Sequence, residues 1–458
     1  MKVIVCGAGQ VGFNIARYLS AEDTDITLID TDADIIQKAT ETLDVQGVVG
    51  YASHPDVLSR AGANKADMLI AVTHADEVNM VACQVARSLF DVPTKIARVR
   101  SQSYLDPLWS DLYASGNLSI DVIISPEIEV AQAVARRLAV PGAFDAVAMA
   151  DGKVTLIGVR CTVETPILET PLWQLTELFP ELSLTIVGIW RNNHGLVPDD
   201  DERLFAGDDV YFLCDSSHVA RAMAAFGHEE QLARRVVVLG GGNIGLYLAK
   251  TVERDSPHVA LKLVELNKTR AAFVAQNLER TVVINGSALD QEILEEVMVE
   301  TAETVVAVTD DDETNILASL LAKRQGCQRA VTLINKMTYG PLTGTLGIDA
   351  VVSPRAITVS KILQHVRRGR IRSVHSISEG FGEVIEAEAL ETSSLVGVPL
   401  RDARLPDDVK IGALVRQGRV IMPRGDTVIR AGDLVVIFAS TGAVKKIEKL
   451  FAVKLEFF

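Results

Sequence analysis

Two glycine motifs of the kind that hold nucleotide phosphates stand 233 positions apart in this chain. Each follows a short β-branched run and opens a helical pattern, so its glycines would allow a tight turn and a close approach of phosphate. The backbone N–H groups and the positive end of the helix would then face the phosphates. A single glycine-rich turn also occurs for purely structural reasons, but two in the same context favour nucleotide binding. The predicted contacts are Gly7, Ala8, Gly9, Gln10, Val11 and Gly12 in the first motif and Gly240, Gly242, Asn243, Ile244 and Gly245 in the second.

An acidic residue follows each motif at the distance expected for ribose recognition. Asp30 lies 18 residues beyond Gly12, and Glu265 lies 20 residues beyond Gly245. Both would end the second strand of a sheet, where a carboxylate accepts hydrogen bonds from ribose hydroxyls. Such a carboxylate repels a 2'-phosphate, so the pattern favours NAD(H) or an adenine mononucleotide over NADP. The structural alternative is that both acids only cap strand ends.

Small residues follow the third and fourth predicted strands of each half. Ala52 and Ser53 in the first half and Ala288 in the second would leave room for a flat adenine base, or would form an ordinary turn. Thr73 and Thr309 end the fourth strands, at the crevice where open α/β sheets bind ligands. Either threonine would contact ligand or cap the following helix.

The two halves differ at the fifth predicted strand. Arg98 and Arg100 are suited to bind a terminal phosphate, because guanidinium groups pair with phosphate in a bidentate manner. The second half has Asn335 and Lys336 there, and an acidic run at 310–312 that would disfavour further phosphate charge. We therefore predict unequal nucleotide preferences, with the triphosphate in the first half. The alternative is that the arginines form ordinary surface salt bridges.

A repeat supplies the elements that would position these residues. Residues 2–12 match 235–245, and the segments 68–73, 76–79 and 120–126 match 304–309, 312–315 and 348–354. Short β-branched runs alternate with amphipathic helical stretches, which is typical of a parallel sheet covered on both faces. In the first half the predicted strands are 3–6, 26–29, 45–49, 68–72, 96–99 and 122–124, and the predicted helices are 11–19, 32–42, 55–61, 77–89 and 127–138.

After each of these halves the pattern changes to short alternating strands. An Ala-Gly-Asp turn before an apolar strand occurs at 206–208 and again at 431–433, which is typical of a small α+β module. We therefore predict an α/β fold made by tandem duplication of a parallel-sheet Rossmann domain followed by a small α+β domain. The predicted limits are 1–125 and 233–353 for the Rossmann domains, 126–142 and 354–370 for connecting helices, and 143–228 and 371–453 for the small domains.

Composition narrows the class of protein. The 458 residues are 48% apolar and 23% charged, as in folded multi-domain proteins. A net charge of -15 argues against nucleic-acid binding, which needs a basic surface. No apolar stretch is long enough to cross a bilayer, so we expect a cytoplasmic or peripheral protein. The five cysteines show no Cys-x-x-Cys spacing and are expected to be buried free thiols, without a disulfide or a metal.

The sequence contains no recognisable catalytic arrangement. No phosphate-binding loop ending in Gly-Lys-Ser/Thr is present, and His54, His74 and His365 do not lie in repeated or catalytic contexts. A dehydrogenase needs an acid or base placed against the nicotinamide. We therefore expect a binding protein and not an enzyme. The alternative is an NAD-dependent oxidoreductase, which turnover of NADH with candidate acceptors would reveal.

The order of parts, the two glycine loops, and the segments 50–58 and 76–86 resemble the RCK (KTN) family of potassium-conductance regulators, from residue 1 to about 451. The resemblance implies a homo-oligomer, expected to be a ring of four chains, on the inner face of the cell membrane beneath a K⁺-translocating subunit of the TrkH or TrkG type. It also implies that NAD(H) and ATP or ADP bind at the residues named above and that ligand exchange gates the pore. The family's Gly-Asp-Ala-Ser turn is altered at Tyr51 and Ser287, so its acid is missing in both halves. A regulator of K⁺ efflux is another member of this class, distinguished by its membrane partner.

Overall fold

The structure, a computed structural model, describes residues 1–20, 24–114, 117–178, 182–230, 232–339, 342–343, 346–366, 371–377 and 381–451. The chain forms two compact units. The first is Met1–Glu129 with Pro354–His365, and the second is Val130–Ser353 with Val366–Phe458. The domain limits given above stay predictions, and their residues 367–370 and 452–453 lie outside the described part of the chain.

A parallel sheet forms the centre of the first unit. Its strands are β1 (Lys2–Cys6), β2 (Asp25–Asp30), β3 (Gln46–Val49), β4 (Met68–Ala71), β5 (Thr94–Arg98) and β6 (Val122–Ile124). The helices are α1 (Gln10–Ser20), α2 (Ala33–Thr42), α3 (Pro55–Arg60), α4 (Asp76–Phe90) and α5 (Gln102–Leu105), followed by α6 (Pro126–Leu138), which belongs to the first unit only up to Glu129. The strand order is β3-β2-β1-β4-β5-β6 and the paired strands are parallel. The order reverses between β1 and β4, so their carboxyl ends flank the crevice where such sheets bind ligands.

Local sequence explains these elements. The β4 strand is buried along its whole length, as a parallel strand covered on both faces must be. Helix α2 begins after Asp32, whose carboxylate accepts hydrogen bonds from the backbone N–H groups of Asp34 and Ile35. Helix α3 has Pro55 in its first turn, where the missing N–H costs nothing. The predicted strands of the first half are confirmed, with ends shifted by at most two residues.

A mixed module with an antiparallel sheet follows in the chain. It contains β7 (Ala143–Met149), β8 (Val154–Arg160), α7 (Leu172–Leu178), β9 (Leu184–Arg191), β10 (His194–Leu196), β11 (Asp209–Asp215) and α8 (Val219–Ala225). Its sheet has the order β10-β9-β11-β8-β7. The predicted Gly-Asp turn directly precedes β11: Gly207 has φ +94°, and Asp208 is buried.

The second unit contains a second parallel sheet. Its elements are β12 (Arg235–Leu239), α9 (Asn243–Asp255), β13 (Ala260–Glu265), α10 (Lys268–Gln276), β14 (Val282–Asn285), α11 (Gln291–Glu296), β15 (Thr304–Ala307), α12 (Asp312–Arg324), β16 (Arg329–Leu333) and β17 (Ala350–Val352). The order β14-β13-β12-β15-β16-β17 repeats that of the first sheet. Helix α13 (Pro354–Val366) follows, and its residues up to His365 pack with the first unit. The duplication of the Rossmann fold is therefore confirmed.

The last module repeats the first small one. Its elements are β18 (Ile371–Ile377), β19 (Gly382–Glu388), β20 (Val409–Arg416), β21 (Arg419–Ile421), β22 (Leu434–Ser440) and α14 (Val444–Phe451), with strand order β18-β19-β22-β20-β21. The sheets of the two small modules share an apolar core that includes Val187, Leu213, Phe381 and Phe438. This shared core lies within the second unit.

Candidate functional site

The first glycine loop has the geometry that a pyrophosphate needs. Gly7 adopts φ +100° and lies against the backbone of Thr73, so a side chain there would be strained and crowded. A Cβ on Gly12 would overlap the carbonyl oxygen of Gly7, which explains the close packing of α1 on β1. A Cβ on Gly9 would meet nothing within 4 Å, so this position opens to solvent. The Phe13 N–H bonds to the Gly9 carbonyl in the first turn of α1, and the N–H groups of Gln10, Val11 and Gly12 precede it at the helix start, where backbone donors lack intrahelical partners.

Asp30 ends β2 and bonds directly to this loop. One carboxylate oxygen accepts the Ala8 N–H at 2.7 Å, and the other accepts the Asp32 N–H at 3.1 Å. The side chain is only partly buried, so the carboxylate still has lone pairs that can accept hydrogen bonds from a ribose. The structure therefore brings Asp30 to the loop as predicted, and gives it a structural role in addition.

The second loop repeats this arrangement. Gly240 has φ +111°, a Cβ on Gly245 would overlap the Gly240 carbonyl oxygen, and Gly242 is open. Glu265 ends β13 and accepts the N–H groups of Gly241 at 2.7 Å and of Asn267 at 2.8 Å. Asn243 and Ile244 form the first turn of α9. Both loops therefore fit the diphosphate of a dinucleotide, with an acid beside it for a ribose.

Arg270 distinguishes the second loop from the first, and sequence reasoning missed it. Its guanidinium donates to the Gly241 carbonyl at 2.8 Å and to the Asn243 side chain at 3.0 Å. The residue lies five positions after Glu265, and the residue five positions after Asp30 is the exposed Ile35. A basic residue in the helix after the acid was the available signal, since that helix begins beside the loop.

The turns after the third strands contain both buried and exposed residues. Ala52 and Ala288 are buried within the hydrophobic cores of their sheets, and Ser53 is half-buried. Tyr51 is 59% exposed and its ring lies 5.2 Å from the ring of His54. Ligand contact by Ala52, Ser53 and Ala288 stays a prediction.

A buried asparagine organises the end of each fourth strand. The Oδ1 atom of Asn79 accepts the N–H and hydroxyl of Thr73 at 2.8 and 2.7 Å, and its amide donates to the carbonyls of Thr73 and Arg98. Asn315 bonds to Thr309 and to the Leu333 carbonyl in the same way. The threonine side chains therefore face this network. The asparagines were visible in the repeat but were not recognised as site residues.

The two predicted arginines lie at the carboxyl edge of the first sheet. Arg98 donates from Nη2 to the Thr73 carbonyl at 2.8 Å, and its Nε is buried without a partner among the described residues. Burial and the neighbouring charge of Arg100 lower the pKa of Arg98 below its ordinary value. Arg100 donates from Nε to Glu127 at 2.8 Å, so the salt-bridge alternative applies to Arg100, with a buried carboxylate as its partner.

The corresponding edge of the second sheet has different chemistry. Asp312 is buried and accepts the backbone N–H groups of Asn335 and Lys336, just as Asp76 accepts those of Arg100 and Ser101. The Asp312 carboxylate is therefore buried and bonded to the backbone, and only Asp310 and Asp311 of the acidic run are exposed to solvent.

Other features bear on the class of protein. The five cysteines are buried, as predicted. Within the described ranges, no cluster of three or more His, Cys, Asp or Glu residues is arranged to hold a metal ion. Within the same ranges, no helix has the length and apolar character needed to span a membrane.

Comparison with known proteins identifies the family. The TrkA-N domain model matches residues 3–126 and 236–354, and the TrkA-C domain model matches residues 384–452. The chain is 53% identical to the Trk system potassium uptake protein TrkA of Azorhizobium caulinodans, over 100% of both chains, and 41% identical to that of Halomonas elongata, over 100% of both. A solved structure of the GsuK channel bound to NAD has the same fold, with a TM-score of 0.60 at 18% identity over 98% of this chain and 78% of that one. The chain therefore belongs to the TrkA family of Trk system potassium uptake proteins.

Proposed function

We propose that this chain is a nucleotide-sensing regulatory subunit that binds NAD(H) and ATP or ADP and gates a membrane potassium-uptake subunit of the TrkH or TrkG type. The observation that carries the proposal is the paired site: two open glycine loops, each bonded to a strand-end carboxylate. Membership of the TrkA family supports the connection with potassium uptake. The NAD named for the GsuK channel structure agrees with the chemistry of the loops.

The residues present suggest how each nucleotide is held. Backbone N–H groups at the start of α1 and α9 face the phosphates, and Asp30 and Glu265 accept hydrogen bonds from ribose hydroxyls and repel a 2'-phosphate. Arg98 and Arg100 at the first edge would bind a terminal phosphate, so the first unit would favour ATP. In this proposal the subunit acts by binding and not by catalysis.

Regulation follows from linkage between binding and shape. A nucleotide shifts a conformational equilibrium only by the difference in its affinity for the two states. If ATP engages the two arginines in one state and ADP does not, that contact supplies the difference. The subunit would act as a homotetrameric ring on the cytoplasmic face of the membrane, attached to the membrane through its partner.

Two substitutions test the binding part of the proposal. Gly9→Glu and Gly242→Glu each place a carboxylate where phosphate would lie, at positions where a Cβ meets no atom within 4 Å. Thermal unfolding of the full chain would be measured with millimolar ATP, ADP, NADH and NADPH. We expect ATP and NADH, but not NADPH, to raise the midpoint, because a ligand that binds only the native state stabilises it.

The variants assign these effects to the sites. Gly9→Glu should abolish the effect of ATP, and the double variant should abolish every effect. Stabilisation that survives in the double variant, or no stabilisation of the wild type by any nucleotide, would rule out the loops as nucleotide sites.

The gating part of the proposal has to be tested together with the membrane partner. The chain would be reconstituted with a TrkH-type subunit in liposomes, and K⁺ flux would be compared with ATP and with ADP. We expect the two nucleotides to give different fluxes and Gly9→Glu to remove the difference. Equal flux with both nucleotides would exclude nucleotide control of this partner, and NADH oxidation by the purified chain would point to an enzyme instead.

A further inference from the structure

Glu127 is a buried charged residue at the edge of the first sheet. It is 6% exposed and lies in the first turn of α6. One carboxylate oxygen accepts the Nε of Arg100 at 2.8 Å. The other is buried and has no hydrogen-bond partner among the described residues. A buried carboxylate is costly unless it is paired, and Arg100 is the hydrogen-bonded ion-pair partner of Glu127, with the charge of Arg98 also nearby.

A terminal phosphate at this edge would compete with Glu127. The Arg100 side chain is 47% exposed, so its guanidinium is accessible from solvent while its Nε pairs with the carboxylate. Phosphate and carboxylate both prefer the fork of an arginine, and the two anions repel each other. Arg98 already donates to the Thr73 carbonyl. Of the two arginines, Arg100 is therefore the one that can exchange its carboxylate partner for a phosphate.

The second half lacks this competition. Asn335 occupies the position of Arg100, since Asp312 accepts its N–H just as Asp76 accepts that of Arg100. Lys336, one residue further on, pairs with Glu313 at 2.8 Å on the helix that follows its own fourth strand. The Ser-Pro-Glu sequence that starts α6 is Ser-Pro-Arg at the start of α13, so Arg355 stands where the first half has Glu127. A neutral asparagine and an arginine at these two positions cannot form an ion pair. The link from phosphate edge to connecting helix is therefore a property of the first half alone.

We infer that Glu127 is a positioning residue that couples the terminal phosphate at the first nucleotide site to helix α6. With ADP, or without nucleotide, Arg100 pairs with Glu127 and holds the start of α6 at the sheet edge. With ATP, Arg100 turns to the γ-phosphate and the unpaired carboxylate favours a displaced first turn. The inference rests on the proposed function, because it requires ATP at the first site.

The far end of α6 is attached to the small module that follows it. Arg137 donates to the Phe144 carbonyl at 2.8 Å and to the Asp145 carboxylate at 2.9 Å, at the start of β7. Asp145 also bonds to His375 of β18 at 2.8 Å. A change at Glu127 therefore acts on a helix whose last turn forms an ion pair with Asp145 of the first small module, and Asp145 is in turn hydrogen-bonded to His375 of the second.

The test compares Glu127→Gln with wild type and with Glu129→Gln. Glutamine keeps the size of the side chain and removes its charge. Glu129 is a matched control, because it lies in the same turn and pairs with Lys361 at 3.7 Å rather than with Arg100. We expect Glu127→Gln to tighten ATP binding by about 5- to 10-fold and to change ADP affinity by less than about 2-fold, as measured by calorimetry on the full chain. Glu129→Gln should change neither affinity.

Hydrogen exchange on the wild type supplies a readout that does not depend on how a variant folds. The Glu129 N–H bonds to the Ser125 carbonyl at 3.1 Å in the first turn of α6. ATP, but not ADP, should speed exchange of this amide, and Glu127→Gln should speed it without nucleotide.

The outcomes separate this inference from the proposed function. If wild type prefers ATP to ADP but Glu127→Gln has the same preference, or ATP leaves exchange at Glu129 unchanged, the role of Glu127 is overturned and the sensor remains. Equal changes in Glu127→Gln and Glu129→Gln also overturn it, since helix charge alone would then explain them. If wild type does not bind ATP at the first site, the proposed function fails, and the coupling fails with it.

Discussion

The two Rossmann halves of this chain share one set of polar contacts and differ in another. In both halves a strand-end acid bonds to the glycine loop, a buried asparagine closes the fourth strand, and a buried aspartate accepts backbone N–H groups beyond the fifth. The differences lie where a ligand would sit, at Arg270 and at the edge formed by Arg98, Arg100 and Glu127. The comparison teaches that the two halves share the side chains that hold the strand ends together and differ in the side chains at the predicted ligand sites.

The largest expected effect comes from the shared contacts. Asn79→Ala and Asn315→Ala should each destabilise the chain by about 2 to 4 kcal/mol, because buried N–H and carbonyl groups lose their partners. Chemical denaturation followed by circular dichroism would measure the loss. Asn14→Ala is the control, since the Asn14 side chain only bonds to a carbonyl on its own helix. A large loss of stability in one variant and none in the other would show that the two halves do not depend on this asparagine to the same extent.

The next largest effect is expected at the edge of the first sheet, where Arg98 and Arg100 have no basic counterparts at the same positions of the second half. Replacing Arg98 and Arg100 together by Gln should weaken ATP binding by about 10-fold or more, since charge-assisted bonds to phosphate are lost, and should leave NADH affinity unchanged. Calorimetry with ATP, ADP and NADH would measure it. Lys336→Gln, which removes the basic residue at the corresponding edge of the second sheet, should not alter the preference for ATP. An unchanged ATP-to-ADP ratio in the double variant would refute the assignment of the triphosphate to this edge.

Arg270 offers a smaller and sharper test of the second loop. In a Gly9→Glu background, which leaves only the second site, Arg270→Gln should weaken NADH binding by about 3- to 10-fold, because a cation beside the pyrophosphate is removed. Lys268→Gln on the same helix is the matched control. Tighter NADH binding in Arg270→Gln would mean that this arginine closes the loop against ligand.

The smallest expected effect concerns the pH dependence of stability that comes from Glu313. Hydrogen bonds from Lys336 and then Tyr339 lower the pKa of Glu313 to about 2. Because the folded value is depressed, the contribution of Glu313 to stability is fully present above the ordinary glutamate pKa and is lost as the pH falls towards about 2. Carbon NMR of the glutamate carboxyls would follow it, and Lys336→Gln should raise the value towards normal. A value unchanged by Lys336→Gln would show that Lys336 does not hold this carboxylate.

Much of the site could be predicted because it depends on local pattern. Asp30 and Glu265 follow their glycine loops by a fixed strand-helix-strand length, and parallel strands bring their ends to one edge of a sheet. Arg98 and Arg100 were placed at the correct edge by the same reasoning. The partner of Arg100 could not be predicted in this way, because Glu127 is 27 residues away and reaches it only through the packing of α6 on the sheet edge.

The sequence by itself determined the duplication, the strand order implied by each Rossmann pattern, the two glycine loops and the acids beside them, because repeats and hydrophobic periodicity are properties of the chain. Only the tertiary structure decided that Asn79 and Asn315 join two strands, that Arg270 crosses the second loop, and that residues 354–365 pack with the first unit. These contacts depend on which side chains meet after the sheets and helices pack. Residues distant in the chain leave no local signal of such meetings.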